Sequence, residues 1–210
     1  MNLYRLLKSF EKHRIDKVSE MIDGTNLNIL EIGCSDGKFL YDNRHKWQSI
    51  TGVDIRNDLL KKARQKKYGV KAEFYTDDFG RNSMPYKTNH FDLVISIATI
   101  QYIFSLDLLF DEIRRVLKNN GLFIFEIPNV AVFWRRLQFL FGHFPNTSYE
   151  SSDWESGVVH YFTRDNLTRI LTKKGFVIEK VSCSGILASI REKWASFLGA
   201  DLIFVCRKVT

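Results

Sequence analysis

The sequence predicts an α/β protein built on a doubly wound, mostly parallel sheet with helices on both faces. Three observations predict it. The run Asn28-Ile-Leu-Glu-Ile32 is short and apolar, as a buried strand is, and it stops at Gly33, with Gly37 close behind. Lys38-Phe39-Leu40-Tyr41 then resumes a helix-like pattern, so the unit is strand, glycine loop, helix. A second strand, Ser49 to Asp54, ends in a carboxylate about 20 residues beyond that loop, where a nucleotide-binding sheet keeps its ribose acceptor.

Composition is consistent with one domain spanning residues 1–210. The chain is 45% hydrophobic, enough for a full core, and 26% charged, with no low-complexity stretch. The net charge is +7. Lys61-Lys62-Ala63-Arg64-Gln65-Lys66-Lys67 concentrates part of it, either as the solvated face of a surface helix or as a contact for an anionic partner. No nucleic-acid motif accompanies it, so nucleic acid is not the expected partner. Cys34, Cys183 and Cys206 are far apart and odd in number, and no His/Cys cluster has metal-ligand spacing. Reduced thiols, a cytoplasmic location and no metal are expected. No run is long enough for a signal peptide or a membrane span.

The remaining elements follow in order. Apolar steps of three and four predict an amphipathic helix over residues 2–22, inside an N-terminal unit of 1–24. Helices are predicted over Phe39 to Trp47, Asn57 to Lys67 and Asp107 to Leu117, the last stopped by Lys118-Asn-Asn-Gly121. Strands are predicted over Lys71 to Tyr75, His90 to Ser96 and Leu122 to Ile127. After Thr163 comes a helix to Lys174, then a strand from Phe176 to Ser182, a helix from Ile186 to Leu198 and a last strand from Asp201 to Arg207.

The glycine loop is not a dinucleotide fingerprint. A Gly-x-Gly-x-x-Gly pattern from Gly33 would need glycine at Ser35 and Lys38. An acid at Glu31 also suits a positively charged ligand better than a pyrophosphate. The segment Glu31-Ile-Gly33-Cys34-Ser35-Asp36-Gly37 resembles the first motif of the class I S-adenosylmethionine (SAM) methyltransferases, with Ser35 in place of the middle glycine. His90-Phe-Asp-Leu-Val-Ile-Ser96 resembles their fourth motif, and Ile113 to Asn129 their helix-to-strand turn. The later runs Pro128-Asn129, Trp134-Arg-Arg-Leu-Gln138 and His160-Tyr-Phe-Thr163 resemble the MetW-type subgroup.

The resemblance implies a Rossmann-like seven-stranded sheet whose last strand is antiparallel, and SAM as cofactor with S-adenosylhomocysteine as product. It implies Glu31, Gly33, Cys34, Ser35 and Gly37 at the cofactor. Asp54 would accept from the ribose, with Ile55 on the adenine face; capping the next helix is the alternative for Asp54. An acid in Thr76-Asp77-Asp78-Phe79 would meet the adenine amino group, Asp77 before Asp78, with Phe79 alongside; a plain polar turn is the alternative. Ser96, Ile97 and Ala98 would leave the fourth strand beside the methyl-transfer cleft. The leading helix, with Tyr4 and Arg14, would close over the cofactor or simply cover a sheet edge.

Residues 129–162 hold an aromatic and basic insert that suits a lid. It can form a wall over a small acceptor, rest on a membrane through 130–145, or pack as a further helix. Methyl transfer to a hydroxyl profits from a base, and His160, His143 and Tyr102 are the candidates. O-methylation of a small molecule is therefore expected. A nicotinamide-dependent oxidoreductase and a non-catalytic SAM-binding protein are the other readings.

Overall fold

A computed structural model describes residues 11–145, 147, 157–186 and 191–209. Seven strands form one sheet: β1 (Leu27–Ile32), β2 (Trp47–Asp54), β3 (Lys71–Thr76), β4 (Phe91–Ile97), β5 (Leu117–Pro128), β6 (Phe176–Cys183) and β7 (Asp201–Lys208). Their order is β3-β2-β1-β4-β5-β7-β6. The pairs from β3 to β5 are parallel, and β7 runs antiparallel to both of its neighbours. The expected sheet, with the last strand inserted antiparallel, is what forms.

Side-chain alternation builds one core on each face. Leu30, Ile32, Val94, Phe123, Phe125, Leu202 and Phe204 point to one side, against α4 (Leu106–Val116) and α6 (Arg164–Lys173). Ile29, Leu93, Ile95, Ile124 and Ile203 point to the other. That face meets α1 (Arg14–Glu20), α2 (Lys38–Asp42) and α3 (Asn57–Arg64). On the first face Phe123 stacks on Phe125 at 4.7 Å and Phe125 on Phe204 at 5.1 Å, tying β5 to β7. Two further helices follow the strands, α5 (Phe133–Leu140) and α7 (Ala195–Leu198).

Several element boundaries differ from the sequence expectation. Within the leading segment, Glu11–Lys12 pairs as a strand with Gly185–Ile186, and α1 begins only after extended His13. Tyr4 lies outside the described residues, as do Tyr149 and Trp154 of the insert. The helix expected to reach Trp47 ends at Asp42, and a 3₁₀ turn over Arg44–Lys46 leads into Trp47, already on β2. The Trp47 indole donates to the Leu40 carbonyl at 2.9 Å, which holds the connection short. α3 stops at Arg64. The stretch Lys118 to Gly121 lies within β5, because Leu117 is already extended and pairs with Phe91. The expected long helix from Ile186 is, among the described residues, a strand at Ile186, a 3₁₀ turn over Glu192–Trp194 and α7. α6 begins as expected, with a capping box between Thr163 and Asn166.

Candidate active site

β1 delivers the chain into the loop at Gly33, which turns with φ 78°. A Cβ there would lie 2.0 Å from Thr99 Oγ1, so only glycine lets the loop cross the end of β4. The amides of Gly33 and Cys34 donate to the Val53 carbonyl at 2.8 and 3.0 Å, drawing the loop over the end of β2. Ser35 takes φ 51°, the left-handed conformation that a middle glycine adopts freely. Its amide donates to Asp54 Oδ2 at 2.8 Å, and the Arg56 amide donates to Asp54 Oδ1 at 2.8 Å. Two backbone donors therefore aim the Asp54 carboxylate. A carboxylate has about four acceptor sites, so it can still take two ribose hydroxyls.

A cleft of about 530 Å³ opens where the strand order reverses between β1 and β4. Its walls combine several predicted residues. Gly33 and Ser35 come from the loop, Asp54 and Ile55 from the end of β2, Asp77, Asp78 and Phe79 from beyond β3, and Ile97 and Ala98 from β4 and just beyond it. Tyr102 and Arg14 also line it. Ile55 is 65% exposed, an apolar surface at a strand tip with no core to join. Asp78 pairs with Arg81 at 2.6 Å, whereas the Asp77 side chain has no ion pair among the described residues.

Other predicted residues frame the cleft without lining it. Gly37 starts α2 with φ 72° and donates its amide to Cys34 O at 2.8 Å. Ser96 is fully buried and donates to Ile32 O at 3.1 Å, locking β4 to β1. Cys34 is buried, and burial together with Glu31 pushes its thiol far up. Glu31 faces the Ile29 side of the sheet. Burial, then the charges of Asp54 and Asp36, hold its carboxyl well above the usual range, and its Oε2 has no hydrogen-bond partner among the described residues. His143 is exposed just past the end of α5, away from the cleft lining. His160 is half-buried, with its ring Nε2 3.1 Å from the Phe104 carbonyl and its amide donating to Gln101 O at 3.1 Å. Of the three acid–base candidates, Tyr102 alone lines the cleft.

Sequence reasoning missed Thr99, Val53, Leu59 and Ile103 in the lining. Thr99 was legible only as the residue that directly follows the predicted cleft pair Ile97 and Ala98. Asp92, in the run that resembles the fourth motif, lies outside the cleft lining; its carboxylate accepts the Asn28 amide at 2.9 Å and pairs with Lys118 at 2.8 Å.

These residues fit a SAM molecule. The loop backbone at Gly33 and Ser35 lines the cleft, an aimed carboxylate stands at the end of β2, and Glu31, next to the loop, keeps a buried Oε2 without a hydrogen-bond partner among the described residues. Comparison with known proteins agrees. A family model described as a methyltransferase domain matches residues 23–175. The chain is 28% identical to a malonyl-[acyl-carrier protein] O-methyltransferase of Geobacter sulfurreducens over 156 residues, covering 70% of this chain and 55% of that protein. It is 33% identical over 122 residues to malonyl-[acyl-carrier protein] O-methyltransferase 2 of Ilyobacter polytropus, covering 55% of this chain and 46% of that one. The match thus spans about half the length of those relatives. A SAM-dependent methyltransferase structure from Mesorhizobium loti superposes with a TM-score of 0.69 at 20% identity, over 91% of this chain and 96% of that one, and shares the fold. The chain belongs to the class I SAM-dependent methyltransferase family.

Proposed function

We propose that this protein transfers the methyl group of SAM to an oxygen atom of a small-molecule acceptor, leaving S-adenosylhomocysteine. The observation that carries the reading is the Ser35–Asp54 bond, which holds a nucleoside-binding carboxylate at the rim of an open cleft. SAM supplies an activated methyl on a good leaving group, so the chain's own task is to align and to exclude water; orientation can contribute roughly 7–11 kcal/mol.

In this reading Asp54 takes the ribose hydroxyls, Ile55 covers the adenine, and Asp77 meets its amino group. Arg14 adds the positive charge that a carboxylate entering the cleft requires. Tyr102 orients the acceptor hydroxyl or passes its proton on. His160 fastens the segment 157–162 to the turn at Gln101 and Phe104, and so shapes the acceptor side of the cleft; His143 is the weakest of the three for chemistry. Residues 129–162 supply that acceptor-side wall within one domain. The likeness to proteins named O-methyltransferases supports oxygen as the acceptor atom.

Calorimetric titration with SAM and S-adenosylhomocysteine tests the cofactor. Asp54→Ala is expected to weaken binding by about 10- to 150-fold, because a charged acceptor is worth about 1.5–3 kcal/mol. Label transfer from methyl-labelled SAM into extract tests the reaction, and is expected to fall about 10²-fold or more in Tyr102→Phe with SAM affinity kept. Binding of a nicotinamide cofactor in place of SAM would overturn the proposal. Binding of SAM with no transfer to any extract component would leave a non-catalytic binder.

A further inference from the structure

α5 is out of character for a helix in a folded core. Five of its eight residues are apolar, yet none is buried. Residues 136–144 are exposed without interruption. Leu140 is 75% exposed, Phe141 73% and Phe144 66%. A monomer rarely leaves so much contiguous apolar surface without a use for it.

These rings are held in place while uncovered. Phe139 meets Phe144 edge-on at 5.4 Å, and Phe144 meets Tyr161 at 5.0 Å. At the other end of the helix Phe133 lies 5.8 Å from Phe197, whose neighbour Trp194 is itself 67% exposed. Arg136 lies over Phe197 and Arg191 over Trp134.

Along the helix and its extension to Phe144 the charge has one sign. No Asp or Glu occurs between Ile127 and Tyr149, while Arg135, Arg136 and His143 do. Glu192, in the adjoining turn, is matched by Lys17 at 2.8 Å. Arg135 donates to the Asn129 and Ala200 carbonyls and Arg136 to the Ala131 carbonyl, so both guanidiniums stay beside the helix and the side chains projecting furthest are apolar. That combination suits shallow insertion into a negatively charged lipid surface, where Phe, Leu and Trp enter the acyl boundary and arginines remain with the headgroups.

We propose that α5, its extension to Phe144 and the turn at Trp194–Phe197 form a docking face for an anionic lipid bilayer. The segment that carries Tyr161 also carries Gly157 on the rim of the cleft, and its Val159 amide bonds to the turn at Gln101, next to Tyr102. One segment therefore touches both the docking face and the cleft rim, and the acceptor class it suits is amphiphilic. The docking face stands on its own observations, and the acceptor class rests on the methyl-transfer reading.

The test is co-sedimentation with vesicles of phosphatidylcholine, with and without phosphatidylglycerol, using wild type and the triple variant Leu140→Ser/Phe141→Ser/Phe144→Ser. Wild type is expected to bind the anionic vesicles, more weakly as salt rises, and the variant to bind at least about tenfold less. SAM titration of both proteins is expected to agree, which shows that the variant is folded. No binding of wild type to anionic vesicles overturns the docking face. So does undiminished binding by the variant, or a wild-type dimer that the variant abolishes, or binding to an acidic carrier protein with none to vesicles. Vesicle binding by a wild type that binds no SAM would keep the docking face and remove the acceptor class.

Discussion

Ser35 shows how one residue can depart from a motif and keep its geometry. The position demands φ near 51°, and serine meets that demand at a steric cost of about 1–2 kcal/mol that glycine avoids. Glycine loses about 0.5–1 kcal/mol more chain entropy on folding, so Ser35→Gly is expected to be neutral or to stabilise by up to about 1 kcal/mol, with SAM affinity intact. Urea unfolding measures it, and a loss of more than about 1 kcal/mol would mean the serine hydroxyl has a role of its own.

Glu31 gives a prediction with a definite sign. Its carboxyl is held above the ordinary 4.5 by burial, then by Asp54 and Asp36. With the folded value raised, its contribution is whole below 4.5, where both states are protonated, and is lost as pH rises toward the folded value. Wild-type stability is therefore expected to decline with pH over that window relative to Glu31→Gln, whose curve is flatter. Thermal midpoints across pH test this. If Glu31 faces the cofactor's positive charge, saturating SAM flattens the wild-type slope; an unchanged slope leaves Glu31 as a buried strut.

At the scale of elements, the loop after β3 matters because it brings Asp77, Asp78 and Phe79 to the cleft. It is pinned to α4 by one cluster. Glu112 accepts the Met84 amide at 2.6 Å and Arg115 at 2.7 and 2.8 Å, while Arg115 donates to the Met84 and Tyr86 carbonyls. The Arg115 bond, working against burial, holds the Glu112 carboxyl below 4.5. This group adds stability above 4.5, and that stability goes as pH falls through its lowered value. Glu112→Gln is expected to cost about 2 kcal/mol at neutral pH, a difference that vanishes in acid. A pH-independent difference would mean the ion pair is not its source. Asn129 does similar work at the end of β5: fully buried, it donates to the Ser196 and Gly199 carbonyls and accepts from the Ala131 amide. The Pro128-Asn129 pair is thus tied to the C-terminal turn through the side chain of its second residue.

At the scale of the whole molecule, the cleft joins four strand ends, so its ligand stabilises the sheet as a unit. SAM at a hundred times its dissociation constant adds about 2.7 kcal/mol. For a domain of this size that raises the midpoint by about 5–10 °C. A scan with SAM, and one with a nicotinamide dinucleotide expected to give no shift, measures it; equal shifts would point away from the cofactor assigned.

What the sequence determined by itself was local. Gly33, Asp54 and the acid after β3 were legible because each answers a constraint of its own few residues: a turn without a Cβ, a carboxylate at a strand tip, a polar end to an apolar run. Strand positions were legible because alternation and burial are written along one segment. Tertiary structure decided the rest, where the partner is distant in sequence. Thr99 explains Gly33 only once β1 and β4 are adjacent. Glu11–Lys12 forms a strand because Gly185–Ile186 offers it an edge. His160 reads as a base in sequence, yet its ring meets the Phe104 carbonyl in the fold, while Tyr102 reaches the cleft. The apolar side chains of α5 carry the same periodicity whether they face a core or solvent, and only packing decides which.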